Sequence, residues 1–192
     1  MQKRILLDGC SFTYGLNLPR EETLEHHFIE SGYEVLNLSR PGKSNHAMSF
    51  DIYNQIDSCD ILVAGWTFSS RWHLRYYQKD IDLLASREVL ELPNDIDSGL
   101  IEDSYQELHK SLYSLFDVSY WNRVSDKLVD TTAAYAQQRG KNIIFFSWEP
   151  RQVHSKIYYP HVLSNHRLPC RHLNADGTRN LFEKLTHLIE QQ

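Results

Sequence analysis

Short apolar segments alternate with longer amphipathic segments along most of this chain. The apolar segments are rich in Ile, Leu, Val and Phe, which is typical of strands buried in a parallel sheet. These predicted strands lie at 4–8, 33–38, 61–64 and 142–148, with a further short strand near 157–159. The predicted helices lie at about 20–31, 44–58, 121–138 and 178–191. This alternation predicts an α/β fold with a parallel sheet covered by helices on both faces.

The chain is predicted to form a single domain over residues 1–192, because two domains would each be near the lower limit of domain size. The pattern is least regular between the third strand and residue 120. We expect residues 72–120 to be an insertion that shapes or covers a site. Within it, the sequence predicts a loop over 91–99 and a helix over about 105–116.

The loops that follow the predicted strands carry unusual polar residues. In a parallel α/β sheet, ligands bind beyond the carboxyl ends of the strands. The loops at this edge lie at 9–15, 39–45, 65–71 and 148–172. The expected topology and the loop chemistry therefore predict the same location for a functional site.

The first loop presents a serine directly after a buried strand, in the segment DGCSFTYG at 8–15. A free serine hydroxyl is a poor nucleophile, so Ser11 needs a base. The alternative is a loop whose amides cradle a phosphate, but the GxxxxGK[ST] and GxGxxG patterns of such loops are missing. We expect Cys10 to pack in the interior, because side chains alternate along an extended segment and only one of the pair can face the site.

The loop before the final helix contains a histidine, in the segment HLNADG at 172–177. His172 can reach back from there to the first loop. Most of the 10 histidines are expected to lie on the surface. The irregular spacing of His154, His161 and His166 argues against a metal site among them.

The two motifs together, GCSFTYG at 9–15 and HLNADG at 172–177, resemble the first and last sequence blocks of the SGNH (GDSL-like) hydrolases. The resemblance implies a flavodoxin-like three-layer α/β/α sandwich and an activity among esterases, lipases and carbohydrate deacetylases. It also implies that Ser11 is the nucleophile and His172 the base. In the family's His-Pro-Asn-x-x-Gly tail, Leu173 here replaces the proline.

The middle loops resemble the family's second and third blocks. In the second, LSRPGKSN at 38–45, Gly42 matches the glycine whose amide helps to form the oxyanion hole. Asn45 is expected to fix this loop or the first one. In the third, Thr67 stands where the family has an oxyanion-hole asparagine, and Ser69 is a second candidate for that donor.

The acid that orients the base is the main departure from the family pattern. The family's aspartate lies three positions before the histidine, and Pro169 occupies that position here. Glu149 follows a strand that ends at the same edge, so its carboxylate can orient His172 from another loop. Asp176 is expected to cap the final helix. A backbone carbonyl, or a Ser-His pair without an acid, are the remaining alternatives.

An arginine and several aromatic residues follow the third strand. Arg71 suits a substrate carboxylate or phosphate, because a guanidinium binds such groups bidentately. A salt bridge within the insertion is the alternative. Trp66, Phe68 and Trp72 are expected either to line an acyl or sugar pocket or to pack in the core. The predicted substrate-binding residues are Asn45, Trp66, Ser69 and Arg71.

The composition argues against nucleic acid and membrane as binding partners. A net charge of −5 with neutral histidines argues against binding to a phosphate backbone. No apolar run is long enough to cross a bilayer, and the stretch at 5–7 is too short for a signal-peptide core. A cytoplasmic protein is therefore expected. The three cysteines show no paired spacing and are expected to be free thiols.

These observations predict a serine hydrolase that cleaves a small-molecule or carbohydrate-bound acyl ester through a Ser11 acyl-enzyme. It is expected to need no cofactor and to bind neither nucleic acid nor membrane. The alternative is a weakly active or inactive domain of the same fold that binds a polar ligand through the same loops. The lack of a local acid favours the alternative, whereas the combination of Ser11, Gly42, Asn45 and His172 favours the enzyme.

Overall fold

The computed structural model describes residues 2–69, 71–76, 79–83, 111, 118–159, 168 and 172–192, with the backbone alone for 72–76, 79–83 and 118. The loop predicted over 91–99 and the helix predicted over about 105–116 lie outside the described residues. Within the described part of the chain, no helix combines the length and the apolar character that a membrane-spanning segment requires.

Five parallel strands form the central sheet. They are β1 (Arg4–Gly9), β2 (Glu34–Asn37), β3 (Ile61–Trp66), β6 (Asn142–Ser147) and β7 (Ile157–Tyr158). Their order across the sheet is β2-β1-β3-β6-β7. Two further strands, β4 (Trp72–Tyr76) and β5 (Lys79–Leu83), pair as a separate antiparallel hairpin. The strand order reverses at β1, and in such sheets ligands bind beyond the carboxyl ends of the strands at the point of reversal.

Helices connect the strands of the sheet. They are α1 (Ser11–Tyr14), α2 (Leu24–Glu30), α3 (Asn45–Gln55), α4 (Val118–Gln138) and α5 (Ala175–Glu190), with short 3₁₀ helices at Arg20–Glu22 and Ile56–Ser58. Three of the α-helices begin at a side-chain cap, formed by Thr23, Ser44 and Asn174. In each cap the side-chain oxygen accepts a hydrogen bond from the amide three residues later, which satisfies a donor of the first turn.

The helices cover both faces of the sheet. Alternate side chains of a strand point to opposite faces, so the strands contribute to two separate cores. The core beneath α2 and α5 includes Leu7, Phe28, Val63, Phe146 and Leu185. The core beneath α3 and α4 includes Leu6, Ile52, Leu62, Val129 and Phe145. This arrangement confirms the predicted three-layer α/β/α sandwich.

The strands and helices predicted for the sandwich are observed, with small shifts at their ends. The helix predicted at about 20–31 is interrupted, because Thr23 ends the 3₁₀ helix and caps α2. The final helix starts earlier than predicted, because Asn174 caps it. The hairpin in the insertion was missed by the sequence analysis, although the alternating segments WHLRY at 72–76 and KDIDL at 79–83 are typical of strands.

The one-turn helix α1 lies in direct contact with the carboxyl ends of β1 and β3. Gly9 and Gly65 are register partners on these strands, and the Thr13 side chain lies against both. A Cβ added at Gly9 would lie 2.1 Å from Thr13 Oγ1, and one added at Gly65 would lie 2.3 Å from the same atom. These distances are too short for any real carbon contact. Only glycine at both positions therefore allows α1 to lie this close to the sheet.

We expect Gly9→Ala to lower the free energy of unfolding by about 1–3 kcal/mol, because the new methyl group overlaps Thr13. In a Thr13→Gly background the same substitution is expected to cost less, with a coupling energy of at least about 0.5 kcal/mol. Urea unfolding of the four proteins in this double-mutant cycle measures the coupling.

Gly140→Ala is the matched control. A Cβ added at Gly140 meets no atom within 4 Å, and the strain there comes from the left-handed φ of 67° alone. Gly140→Ala should therefore lower the free energy of unfolding by the same amount in wild type and in Thr13→Gly. An equal cost of Gly9→Ala with and without the Thr13 side chain would contradict the proposed close contact.

Candidate active site

Ser11 is the first residue of α1 and follows β1 after a single intervening residue. That residue, Cys10, has an extended backbone and is fully buried as a free thiol. The short helix ends at Gly15, whose left-handed φ of 79° closes the turn. The Ser11 side chain therefore lies at the edge of the sheet while the Cys10 thiol packs in the interior.

His172 is the hydrogen-bond partner of Ser11. Its Nε2 lies 2.9 Å from Ser11 Oγ, a distance at which the imidazole can accept the hydroxyl proton. The backbone of His172 is held by Leu168, whose amide donates to the His172 carbonyl over 2.8 Å. The imidazole also packs on Phe12, with ring centroids 4.5 Å apart. Two residues identified at opposite ends of the sequence are thus brought into contact.

The loop that contains Gly42 is attached to the end of β1. The Arg40 amide donates to the Gly9 carbonyl over 3.2 Å, and the Lys43 amide closes a turn onto the Arg40 carbonyl over 3.3 Å. Gly42 itself has a left-handed φ of 76°, which glycine adopts without strain. These bonds fix the Gly42 loop beside the residue that precedes Cys10 and Ser11.

Lys43 connects the same loop to β1 through a fully buried ion pair. Its ammonium lies 2.6 Å from Asp8 Oδ1 and 2.6 Å from Asp51 Oδ2, and it donates to the Leu38 carbonyl over 2.8 Å. The side chains of Lys43 and Asp8 are 0% exposed. An ammonium has three N–H donors, and these three acceptors match them.

Asp8 is the most strongly perturbed group in this network. Its Oδ1 accepts hydrogen bonds from Lys43 and from the Gly9 amide. Its Oδ2 is buried and has no hydrogen-bond partner among the described residues. Burial raises the pKa of Asp8 to about 6, and the Lys43 charge and the hydrogen bonds only partly oppose this rise.

Asn45 is buried and pairs with the backbone of Thr67. Asn45 Oδ1 accepts the Thr67 amide over 2.9 Å, and Nδ2 donates to the Thr67 carbonyl over 3.0 Å and to Ser125 Oγ over 2.6 Å. Asn45 lies at the end of the second loop and therefore joins that loop to the third. Its side chain is 2% exposed, and its expected role in substrate binding stays a prediction.

The side chain of Thr67 is also fully buried. Its hydroxyl has no hydrogen-bond partner within the described part of the chain, and its amide is engaged by Asn45. Thr67 is therefore the point at which the third loop is held, and its role as an oxyanion donor stays a prediction.

Arg151 is the second side chain that holds the third loop. Its Nη2 donates to the Thr67 carbonyl, and its Nη1 donates to Ser125 Oγ over 2.7 Å. The Arg151 side chain is only 1% exposed. Burial lowers the pKa of its guanidinium, and the charges of Glu149 and Asp126 oppose this effect. Arg151 and Asn45 thus converge on the same carbonyl.

The Glu149 carboxylate, which the sequence suggested as an orienting acid, has other partners. Its Oε1 accepts the Ser69 amide over 2.6 Å and lies 3.3 Å from Arg151 Nη2. It therefore ties the loop after β6 to the loop after β3. Pro169, at the family's acid position, and the neighbouring Cys170 lie outside the described residues.

The predicted cap of the final helix is wrong. Asn174 caps α5, because its Oδ1 accepts the Gly177 amide over 2.9 Å. Asp176 is exposed in the first turn of the helix, where its charge interacts favourably with the helix dipole. The cap fixes the start of α5 two residues after His172.

Two other predicted substrate-binding residues are turned away from solvent. Trp66 is fully buried and packs against Phe145, with ring centroids 5.3 Å apart, so it belongs to the core beneath α3 and α4. The Ser69 hydroxyl donates to Asn122 Oδ1 over 2.5 Å, which ties it to α4. Of the two alternatives considered for Trp66, core packing is the one observed.

Arg71 and Phe68 lie beside the aromatic residues that surround His172. The Arg71 guanidinium carbon is 5.4 Å from the centroid of the Phe68 ring. Phe68 meets Phe12 edge to face at 6.2 Å, and Phe12 also packs against Trp148 at 4.8 Å. The Trp72 side chain lies outside the described residues.

The sequence analysis missed Asp8, Lys43 and Arg151. A usable signal existed for the first two, because a carboxylate at the end of an apolar strand is rarely buried without a cation. The segment ILLD at 5–8 therefore predicts that a lysine or arginine from a loop at the same edge pairs with Asp8. Arg151 gave no comparable signal, since a charged residue in a loop is usually exposed.

No protein-family model matches the sequence, and a search of curated protein sequences finds no significant match. Several solved structures do match. The psychrotrophic esterase EstA from Pseudoalteromonas sp. aligns with a TM-score of 0.60 and 8% identity over 99% of this chain and 98% of that chain. TesA aligns with a TM-score of 0.56 and 11% identity over 98% and 99%. The lipase Lip_vut3 from a goat rumen metagenome aligns with a TM-score of 0.54 and 8% identity over 97% of both chains.

The chain has the SGNH-hydrolase fold. At these identities the similarity concerns the fold alone, and at that level it confirms the resemblance seen in the sequence. Within the SGNH fold, Ser11 and His172 occupy the first and last loops of the sheet edge. Among the described residues, no group of three or more His, Cys, Asp or Glu side chains is arranged to hold a metal ion.

We expect Lys43→Met to lower the free energy of unfolding by about 3–5 kcal/mol, because it leaves the Asp8 carboxylate buried without its cation. Adding Asp8→Asn should recover part of this loss. Chemical unfolding of the single and double variants measures both effects. Arg139→Met removes an exposed ion pair with Asp57 and should cost no more than about 1 kcal/mol. A Lys43→Met variant as stable as this control would contradict the buried ion pair.

The raised pKa of Asp8 predicts an unusual dependence of stability on pH. The pKa of Asp8 in the folded protein is about 6, whereas that of an unperturbed aspartate is about 3.9. The stability that Asp8 contributes is therefore fully present at a pH below its pKa in the unfolded chain. It is lost as the pH rises through its pKa in the folded protein.

Wild type should accordingly lose stability relative to Asp8→Asn between about pH 4 and about pH 6.5, as measured by urea unfolding. The difference between the two proteins cancels the other titrating groups. Asp57→Asn, at an exposed aspartate, controls for the change of one charge. A wild-type advantage that grows with pH would overturn the assignment.

Proposed function

We propose that this protein is a serine hydrolase that cleaves an acyl ester, with Ser11 as the nucleophile and His172 as its base. The observation that carries this proposal is the 2.9 Å contact between His172 Nε2 and Ser11 Oγ. A serine hydroxyl becomes a competent nucleophile when a base accepts its proton in this geometry. The proposed substrate is a small-molecule or carbohydrate-linked ester.

The reaction has two halves. In the first, His172 Nε2 takes the Ser11 proton while Ser11 Oγ bonds to the ester carbonyl carbon. The tetrahedral intermediate then expels the alcohol, which receives the proton from His172, and leaves the acyl group on Ser11. In the second half, His172 takes a proton from water, the resulting hydroxide attacks the acyl-enzyme, and the proton returns to Ser11 as the acid leaves.

Two backbone amides are proposed to hold the developing oxyanion, those of Ser11 and Gly42. Ser11 lies in the first turn of α1, where amides have no acceptor within the helix. The Gly42 loop is hydrogen-bonded to the end of β1 through Arg40 and Gly9. Removal of one oxyanion donor typically lowers the rate by about 10²–10³-fold, so the position of this loop matters directly to catalysis.

The names of structures with the same fold support ester hydrolysis. EstA is described as an esterase, in a structure inhibited by monoethylphosphonate, and Lip_vut3 is described as a lipase. An activated serine hydroxyl attacks electrophilic phosphorus, so a reactive phosphonate is a suitable probe for Ser11. We infer a comparable activity for this chain from the contact of Ser11 with His172.

A second candidate is a domain of this fold that binds a polar ligand with little or no turnover. It is favoured by the positions of the two carboxylates that could have oriented His172. Glu149 is engaged by Ser69 and Arg151, and Asp176 is exposed on α5. Loss of the orienting acid can lower turnover by about 10⁴-fold when the imidazole adopts the wrong tautomer.

Turnover of p-nitrophenyl acetate separates the two candidates. We expect wild type to hydrolyse it and both Ser11→Ala and His172→Ala to lose about 10³-fold or more in kcat. Cys10→Ala and His154→Ala are matched controls, because Cys10 is buried and His154 is exposed on the loop after β6. Both controls should retain turnover.

Circular dichroism should first establish that every variant is folded. Turnover by wild type that survives in Ser11→Ala would overturn the proposed nucleophile. A folded wild type without turnover on acetate, butyrate and acetylated sugar esters would favour the binding domain.

A further inference from the structure

Arg71 presents an unused hydrogen-bond donor beside the active site. Its Nη1 is buried, and no described group accepts a hydrogen bond from it. Two exposed arginines elsewhere in the molecule do have acidic partners, since Arg4 pairs with Glu34 and Arg139 with Asp57. A buried donor of a charged group is costly to leave unpaired. An acceptor on a bound ligand would satisfy this donor.

The guanidinium of Arg71 is held in a defined position. Its carbon lies 5.4 Å from the centroid of the Phe68 ring, and its amide donates to the Phe68 carbonyl over 3.2 Å. A cation over an aromatic face is attracted by the ring quadrupole. These contacts orient the side chain, and its Nη1 has no acceptor among the described residues.

A continuous series of ring contacts connects this guanidinium to the catalytic pair. Phe68 meets the edge of Phe12 at 6.2 Å, and Phe12 packs on the imidazole of His172 at 4.5 Å. His172 in turn contacts Ser11. Arg71 thus belongs to the same edge of the sheet as the nucleophile and stands two aromatic rings away from the base.

Two carboxylates, one on the loop after β6 and one on α4, share a single guanidinium. Glu149 lies 3.3 Å from Arg151, and Asp126 lies 3.4 Å from the same guanidinium. Arg151 is buried among these partners, so it offers no charge to a ligand. Arg71, unlike Arg151, keeps a side-chain donor without an acceptor among the described residues.

We propose that Arg71 forms an anion-binding subsite and that the substrate ester carries a carboxylate or a phosphate-like group. This inference rests on the proposed function, which it deepens by naming the charge of the substrate. Carboxylate and phosphate share the planar or forked oxygen pair that a guanidinium binds bidentately. The anion binds Arg71 while the ester carbonyl lies at Ser11.

Matched esters test the subsite. Mono-p-nitrophenyl glutarate carries a carboxylate, the p-nitrophenyl ester of phosphonobutyrate carries a phosphonate, and p-nitrophenyl valerate is the neutral ester of similar length. We expect wild type to prefer one of the anionic esters. Arg71→Gln should lower the ratio of anionic to neutral kcat/KM by about tenfold or more, which corresponds to the loss of a charged hydrogen bond.

Two further variants make the result specific. Arg71→Lys should retain part of the preference, because it keeps the charge and loses the fork. Arg139→Gln removes the same charge at an exposed position paired with Asp57 and should leave the preference unchanged. Which anionic ester is preferred distinguishes a carboxylate substrate from a phosphate-like one.

A binding measurement separates failure of this inference from failure of the proposed function. Glutarate and inorganic phosphate are added to wild type and to Arg71→Gln, and the thermal midpoint is recorded.

If no ester is cleaved, stabilisation of wild type but not of Arg71→Gln supports the subsite alone. If no ester is cleaved and neither anion stabilises wild type in an Arg71-dependent way, the subsite is overturned together with the function. If esters are cleaved with equal preference by wild type and Arg71→Gln, the subsite is overturned and the hydrolase stands.

Discussion

The contact of Thr13 with the bare backbones of Gly9 and Gly65 determines where the first loop of the site can lie. Thr13 and Ser11 belong to the same helical turn, so the position of one fixes the position of the other. A side chain at either glycine would move that turn away from the sheet. The distance between Ser11 and His172 thus depends on the absence of a side chain at Gly9 and at Gly65.

Buried polar groups then hold the other loops against this turn. The Lys43 ammonium joins the Gly42 loop to Asp8 on β1, and Asn45 and Arg151 join the third loop to its neighbours. Each link costs desolvation and is stable only because almost every donor finds an acceptor. Such links favour one arrangement of the loops over others, which is what a catalytic site requires of its supporting residues.

Three features could be predicted from the sequence. They are the parallel sheet, the order of strands and helices along the chain, and the pairing of Ser11 with His172. The apolar segments and helix caps are local signals, and the motif at each end of the chain matches a known family. For the buried ion pair of Asp8 with Lys43, the sequence indicates only that a carboxylate at the end of an apolar strand needs a cation. It does not identify Lys43 as that cation, because the two residues lie 35 positions apart. The same holds for Asn45 and Thr67, whose bond joins two loops and not two elements of one periodic pattern.

The pocket-lining alternative for Trp66 is not observed, for a related reason. It was placed by its position at the end of a strand, but depth beneath the surface depends on what packs above a residue. Trp66 packs under α3 and α4. The cytoplasmic location remains a prediction from the sequence.

The central claim is that Ser11 is an activated nucleophile, and covalent labelling tests it most directly. Wild type is treated with a fluorophosphonate, and the adduct is located by mass spectrometry of the proteolytic peptides. The account predicts a single adduct on Ser11 that forms much more slowly in His172→Ala, because the base no longer accepts the hydroxyl proton. No adduct on the folded wild type, or labelling at Ser11 that is equally fast without His172, would contradict it.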